Sequence, residues 1–374
     1  MKCKINRLEF LSAAKKAASV VPSVSPLENL KYILLGTDAG KDKLTLTATN
    51  LEVSLQQTIT ICDYVGENVN LAVEAKLLVA MLTQLCCDDV DLMQDNPVQL
   101  VLRGGDACYR VPILSGKDYP LVQFPTSTVA VKASGINKIV QRTAFATADS
   151  ETAPLLKCVN LKFTSDGLRA VSSDGTCAIS ARGDQQSAGE ASLLVPASSL
   201  EKLARMCIDT DIFDVSVGGK YISFKKEGFV YSARLMAGSY INADQIFNRL
   251  QNSFTVLSDA VELRGALNSV SALASDNRVK LTFADDTLYL SCSSACGTSK
   301  MSVSVIPLSG LPCGEYFFTV DRLSRSLRAM GGTVTVGIAQ GGVLTLSSED
   351  AQYVQTAMRA TTVKKRVKPE KKAA

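Results

Sequence analysis

A module of roughly 120 residues recurs three times along this chain, and no other feature limits its fold so tightly. Each copy opens on a short strand, at Cys3-Lys4-Ile5, Ala130-Val131-Lys132 and Thr255-Val256-Leu257. A turn and strand follow, at Asp42-Lys43-Leu44-Thr45-Leu46, Asp166-Gly167-Leu168-Arg169-Ala170 and Asp286-Thr287-Leu288-Tyr289-Leu290. A second helix then falls on Val73 to Leu82, Val195 to Met206 and Phe318 to Met330. Solenoid repeats run only to about 50 residues, so the repeating unit is a whole domain. Repeated domains can build curved or closed assemblies in which shape carries the function. The expected domains are 1–125, 126–250 and 251–363, followed by a basic, solvated tail at 364–374.

A chain of 374 residues has room for about two to four domains, so three fit. An apolar share of 46% with 20% charged residues indicates folded protein and not disorder. No run approaches the roughly 18 apolar residues of a membrane span. Met1 to Arg7 lacks the apolar core of a signal peptide, so a cytoplasmic location is expected. The 11 cysteines are odd in number and scattered, with Cys86-Cys87 adjacent, which suits buried thiols in a reducing compartment.

Alternating segments at Leu44 to Val53, Leu100 to Val111, Phe213 to Phe224, Lys280 to Cys292 and Val334 to Leu346 read as half-buried strands. Ser165-Asp166-Gly167, Gly218-Gly219-Lys220 and Gly341-Gly342 punctuate them at hairpin spacing. The first helix of each module is expected over Arg7–Val20, Gly135–Thr147 and Asp259–Ser275. The second is expected over Lys76–Cys86, Ser198–Cys207 and Val320–Met330. Ser134 and Ser258-Asp259 read as N-caps. Linkers are expected near Pro120–Thr128 and Gln245–Ser253. The class is α+β, with two helices per module packed on antiparallel sheets.

The helices carry a recurring positive charge. Arg322, Arg325 and Arg328 are spaced three apart and share one helix face, with Leu323, Leu327 and Met330 opposite. Lys202 and Arg205 repeat the arrangement beside Leu200, Leu203 and Met206. Lys15, Lys16, Lys76, Lys138, Arg142 and Arg264 add charges on the remaining helices. One such face is ordinarily a solvated amphipathic surface. Recurrence on all six helices, with no aromatic interleaving, suits non-specific phosphate contact without base readout. The tail holds Lys364, Lys365, Arg366, Lys368, Lys371 and Lys372 against Glu370, so it accounts for more than the whole net charge of +4. The body is close to neutral, and any DNA-facing surface must concentrate its basic residues.

Catalytic signatures are sparse. The chain has no histidine, which removes the commonest general base and metal ligand. Cys292 and Cys296 lack a second pair to complete a zinc site, and no cofactor is expected. Ser115-Gly116-Lys117 lacks the preceding glycine of a phosphate loop. Ser12-Ala13-Ala14-Lys15 and Ser199-Leu200-Glu201-Lys202 match Ser-x-x-Lys, and Ser275-Asp276-Asn277 matches Ser-Asp-Asn, but Lys-Thr-Gly is missing. A serine acyl-enzyme is therefore a weak alternative.

Ordered markers along residues 1 to 359 make the chain resemble the bacterial sliding clamps, the beta subunits of DNA polymerase III. They are Leu44-Thr45-Leu46-Thr47-Ala48-Thr49-Asn50-Leu51-Glu52, Gly116-Lys117-Asp118-Tyr119-Pro120, Ala144-Phe145-Ala146 through Leu155-Leu156, Leu168 through Asp174-Gly175, Leu194-Val195-Pro196 and Tyr353 through Met358-Arg359. The resemblance implies a non-enzymatic processivity factor. It implies a head-to-tail homodimer closed into a ring, helices inside and strands outside, around double-stranded DNA. Partners would be the polymerase III alpha subunit, the clamp loader and other proteins with a clamp-binding motif. Ala272 and Leu273 would meet the strand around Tyr109 and Val111 of a second copy. The basic helix residues above would line the hole.

In that family, partner peptides enter a groove between the second and third domains, built from a Thr-Asp-Gly/Ser-His-Arg-Leu segment and a C-terminal apolar-Pro-Met/Val-Arg segment. Here these read Ser173-Asp174-Gly175-Thr176-Cys177-Ala178 and Gln355-Thr356-Ala357-Met358-Arg359. The His-Arg pair and the proline are absent, and Thr319 and Arg322 stand where the wall would continue. Leu156, Val354 and Met358 keep the apolar character. The resemblance therefore implies a retained groove with altered partner preference, as in a divergent clamp paralogue. This signature has no evident counterpart elsewhere in the chain. The arginine often carried near Val24 is also missing, with Ser23 and Ser25 flanking that position.

Overall fold

The computed structural model describes residues 1–37, 40, 42–120, 122, 124–125, 130–185, 190–274 and 276–359. The basic tail, Ser275 and part of the linker expected at Pro120–Thr128 lie outside the described residues. Seven α-helices occur among the described residues: α1 (Arg7–Val20), α2 (Ala75–Gln84), α3 (Ile136–Thr143), α4 (Ala197–Ala204), α5 (Ala243–Arg249), α6 (Ala260–Ser271) and α7 (Val320–Met330). Within each repeat two helices pack against each other, α1 on α2, α3 on α4 and α6 on α7. All the described strand pairings whose register is defined are antiparallel, for example Lys43–Thr49 with Val53–Thr60 and Thr287–Ser294 with Gly297–Ser304. The fold class is α+β.

Each alternating segment that reads as one strand is two. The chain turns within it and pairs with itself, as at Phe213–Gly218 with Tyr221–Lys226 and Thr333–Ala339 with Val343–Ser347. The turns fall on Gly219 and on Gly341-Gly342, all at positive φ, which glycine adopts at no steric cost. The linker expected at Gln245–Ser253 instead holds most of α5 and the start of the strand Asn252–Asp259. Asn242 caps α5 by accepting the Gln245 amide at 3.2 Å. The spacing Asn-x-x-Gln is a capping signature, and local capping overrides the loop-like composition. Ser134 ends the strand Ala130–Ser134; the N-cap of α3 is Gly135, left-handed at φ 66, with no side-chain cap. Asp259 does cap α6, accepting the Val261 and Glu262 amides at 2.8 and 2.9 Å.

The chain divides into two compact units. One holds Met1–Ser172 and Ala181–Ile241; the other holds Ser173–Ser180 and the chain from Asn242 onward. In the first unit, the first two repeats share a sheet. Val53–Thr60 pairs with Phe229–Arg234 in a register running from Phe229 opposite Gln57 to Ala233 opposite Val53. The core beneath contains Phe10, Ile33, Phe213, Phe224, Phe229 and Tyr231, all fully buried. Phe213 and Phe224 meet edge to face at 6.2 Å, a geometry favoured by the ring quadrupoles. The Tyr231 hydroxyl donates to the Ser199 carbonyl at 2.6 Å, which satisfies its only polar atom in the core. In the second unit, Ile306–Ser309, Asn252–Asp259, Thr333–Ala339, Val343–Ser347 and Ala351–Gln355 form one run of paired strands. Gly297–Ser304, Thr287–Ser294, Arg278–Ala284 and Cys313–Thr319 form a four-stranded sheet.

Five of the cysteines are buried (Cys3, Cys158, Cys177, Cys207 and Cys292), five are exposed (Cys62, Cys86, Cys108, Cys296 and Cys313), and all are free. The expectation of buried thiols therefore holds for under half of them. No helix among the described residues is long and apolar enough to cross a membrane.

Candidate functional site

The turn Ser173–Cys177 in the second unit is held by a short polar network. Ser173 Oγ donates to the Cys177 carbonyl at 2.6 Å and accepts the Gly175 amide at 3.1 Å. Asp174 Oδ1 accepts the amides of Thr176 and Cys177 at 2.7 and 2.8 Å and the Thr176 hydroxyl at 2.9 Å. Its other oxygen pairs with Arg322 of α7. Burial opposes ionisation of Asp174, but the two amides, the hydroxyl and the Arg322 guanidinium outweigh it, holding the carboxyl below its usual range. Gly175 sits at φ 89, left-handed territory. The C-terminal segment docks beside this turn, with the Thr356 amide and hydroxyl both donating to the Thr176 carbonyl at 3.0 and 3.1 Å.

The surrounding face is part apolar and part basic. Met358 is 40% exposed while Val354 is buried. The Met358 amide donates to the Phe317 carbonyl at 2.7 Å, and the Thr319 hydroxyl lies 3.8 Å from the Met358 sulfur. Arg278 stacks over the Phe317 ring at 4.3 Å and donates to the Arg359 carbonyl at 2.7 Å. Behind the face, Gln355, Cys177, Ala178 and Tyr353 are buried, and Tyr353 donates to Gln355 Oε1 at 3.0 Å. Burial pushes the Cys177 thiol up to about 12, with the Asp174 charge adding to the effect, so it is an inert core group. Ala357 is half-buried and Thr356 exposed. Leu156, half-buried, lies in the first unit, where its carbonyl accepts the Ala148 amide at 2.9 Å.

The basic helix residues divide by environment. Lys15, Lys76, Lys138, Arg205, Arg325 and Arg328 are exposed; Arg142, Lys202 and Arg264 are half-buried. Lys16 is engaged within the chain, over the Phe229 ring at 5.8 Å. Burial, together with the like charge of Lys226, lowers its pKa. Arg322 is committed to Asp174. Of the expected interface residues, Ala272 is exposed at the end of α6, Leu273 and Tyr109 are half-buried, and Val111 is buried. Ser199, of the Ser-x-x-Lys pair, is buried at 3% exposure and offers no accessible hydroxyl.

The turn at 173–177 has a counterpart that the sequence reading missed. Thr49 Oγ1 donates to the Val53 carbonyl at 3.1 Å and accepts the Leu51 amide at 3.0 Å. Asn50 Oδ1 accepts the amides of Glu52 and Val53 at 3.1 and 2.7 Å. Leu51 occupies the left-handed position at φ 73 where Gly175 sits in the other copy. The Arg234 amide donates to the Glu52 carbonyl at 2.8 Å, as the Thr356 amide does to Thr176. Aligning Thr49-Asn50-Leu51-Glu52-Val53 on Ser173-Asp174-Gly175-Thr176-Cys177 through the internal repeat would have exposed it.

Comparison with known proteins places this architecture. The family model described as "DNA polymerase III beta subunit, N-terminal domain" matches residues 1–123, and that described as "DNA polymerase III beta subunit, central domain" matches residues 130–242. Together they span well over half of the chain. A beta sliding clamp of Synechococcus elongatus is 27% identical over 345 residues, covering 88% of this chain and 90% of its own. One from Pseudomonas putida is 25% identical over 279 residues, covering 73% and 74%. Among solved structures, the Pseudomonas aeruginosa sliding clamp bound to griselimycin superposes with a TM-score of 0.88 at 21% identity, covering 96% of this chain and all of that one. The Bacillus subtilis sliding clamp gives 0.88 at 17% identity, covering 96% and 99%. This chain belongs to the DNA polymerase III beta subunit family, whose members are non-enzymatic processivity factors.

Proposed function

We propose that this chain works as a DNA sliding clamp, encircling duplex DNA and tethering a polymerase and other replication proteins in the cytoplasm. The observation that carries the reading is family membership over both matched domains, joined to basic residues recurring on the paired helices of every repeat. A ring threaded by duplex is retained by topology, so its lining needs only weak, sequence-independent attraction to phosphates. Tethering raises the effective concentration of the polymerase at the primer end. The proposed domains are 1–125, 126–250 and 251–363. The proposed lining is Lys15, Lys76, Lys138, Arg142, Lys202, Arg205, Arg264, Arg325 and Arg328; Lys16 is left out because it lies over Phe229, and Arg322 because it pairs with Asp174.

Two open sheet edges support a head-to-tail dimer. Among the described residues, the segment 107–111 pairs only with Gln99–Gly104, and Gly297–Ser304 pairs only with Thr287–Ser294. Unpaired edges are templates for another chain, and two different edges that meet head to tail give a closed ring where the rotation between copies returns to its start, which for the proposed dimer is after two copies. Tyr109, Val111, Ala272 and Leu273 belong to this proposed interface. Within the second unit, the face of Thr319, Thr356, Ala357, Met358 and Arg359 around the Asp174–Arg322 pair is the proposed partner-peptide surface. Loading onto nicked circular DNA by a clamp loader with ATP tests the reading. The protein should stay on the circle and slide off once the DNA is linearised; equal retention on both forms refutes it.

A further inference from the structure

We propose that the first unit carries a second peptide-docking pocket, at the junction of its two repeats, for an extended partner segment bearing an acidic side chain beside an apolar one. The pocket encloses about 620 Å³ and is lined by Glu52, Pro196, Lys220, Arg234, Leu235 and Met236, among others. That volume lies within the roughly 300–1,000 Å³ of ordinary ligand sites, with room for a few side chains and none for a folded domain. Its backbone is fixed in place: the amides of Arg234, Leu235 and Met236 donate to the carbonyls of Glu52, Lys220 and Leu194 at 2.8, 2.7 and 2.9 Å. A docking surface so pinned loses little ordering entropy on binding.

The chemistry of the lining selects the occupant. Met236 is 39% exposed, and with Leu235 and Pro196 it gives an apolar floor open to solvent. Lys220 and Arg234 are exposed, and no carboxylate among the described residues lies within ion-pair distance of either. Two cations with no ion-pair partner among the described residues, beside an apolar floor, complement an acidic–apolar pair. With Glu52 on the same rim the ionised lining keeps one net positive charge, which suits a single acidic side chain and not a run of phosphates. The pocket is built beside the turn whose side-chain-to-backbone bonds repeat those of the turn supporting the Met358 face in the second unit, without its Arg322 ion pair. The chain therefore presents the same peptide-ready architecture twice, with different side chains. The inference does not depend on ring formation.

The test is fluorescence anisotropy of the full chain with a labelled, capped pentapeptide, Gly-Leu-Glu-Leu-Gly. Saturable binding is expected, weakened about tenfold or more by the double variant Lys220→Glu/Arg234→Glu. The variant should recover affinity for Gly-Leu-Lys-Leu-Gly and melt at an unchanged temperature, since both positions are exposed. Met358→Asp should leave binding intact. The proposal is overturned by no saturation up to millimolar peptide, by loss of binding in Met358→Asp instead of the double variant, or by displacement of the peptide with short duplex DNA. Retention of the double variant on circular DNA is expected to be unchanged, so a failure of the clamp reading shows separately, in the wild-type chain.

Discussion

Asp174 shows how one side chain organises a surface that is otherwise backbone. It takes three hydrogen bonds from its own turn and an ion pair from α7, while its side chain is only 6% exposed. Replacing it by alanine should cost about 2 kcal/mol in urea unfolding, because the Thr176 and partly buried Cys177 amides lose their acceptor and Arg322 its partner. Its carboxyl sits below the usual range in the fold, so it contributes stability above the unfolded value of about 3.9. That contribution is lost as pH falls through the lower folded value. Asp174→Asn should therefore flatten the acid limb of the stability profile, measured as urea midpoint against pH. The family markers also have residue-level causes. Tyr119 is buried and its hydroxyl accepts the Thr49 amide and donates to the Tyr32 carbonyl, while a Cβ at Gly116 would fall 1.9 Å from Asn70 Oδ1. Such positions read as motifs because few other residues fit them.

At the scale of elements, helix periodicity was informative and helix ends less so. The limits of α1 and α7 follow from their apolar stripes alone, whereas α3 starts on a glycine and not on the serine before it. The two caps give opposite expectations. Asp259→Ala should lose about 1 kcal/mol by chemical denaturation, the usual cost of removing an N-cap acceptor. Ser134→Ala should change stability by less than about 0.5 kcal/mol, since no cap bond exists there to lose. The strands were legible in type and not in number, because alternation continues through a tight turn and period two cannot mark where the chain reverses. α5 was hidden for a different reason: its polar residues suggest a linker, and only the Asn242–Gln245 spacing betrays the cap.

For the whole molecule, charge is the property that spans all three repeats. If Arg325 and Arg328 line the hole as proposed, reversing both should weaken binding to duplex DNA evenly across sequences. The slope of log affinity against log salt should also fall, by about 0.9 for each phosphate no longer neutralised. Filter binding across a salt series measures it, and an unchanged slope removes both from the lining. Lys16 illustrates what charge spacing cannot tell: it adjoins Lys15 in sequence, yet Lys15 is exposed and Lys16 lies over Phe229, more than two hundred positions away. Its partner is supplied by the sheet junction of Val53–Thr60 with Phe229–Arg234, and no local pattern announces such a pairing.

The sequence by itself determined the threefold repeat, the α+β class, the helix pairs with their basic residues, and the family, because periodicity, turn chemistry and ordered motifs are local and survive divergence. Only the tertiary structure decided that Lys16 is spent on Phe229 and Arg322 on Asp174. It alone showed that the turn at 173–177 is repeated at 49–53. It also revealed the pocket beside that second turn, since Glu52, Pro196, Lys220 and Arg234 come together only when strands distant in sequence pair. Long-range pairing places side chains by register, and register is a property of the folded sheet.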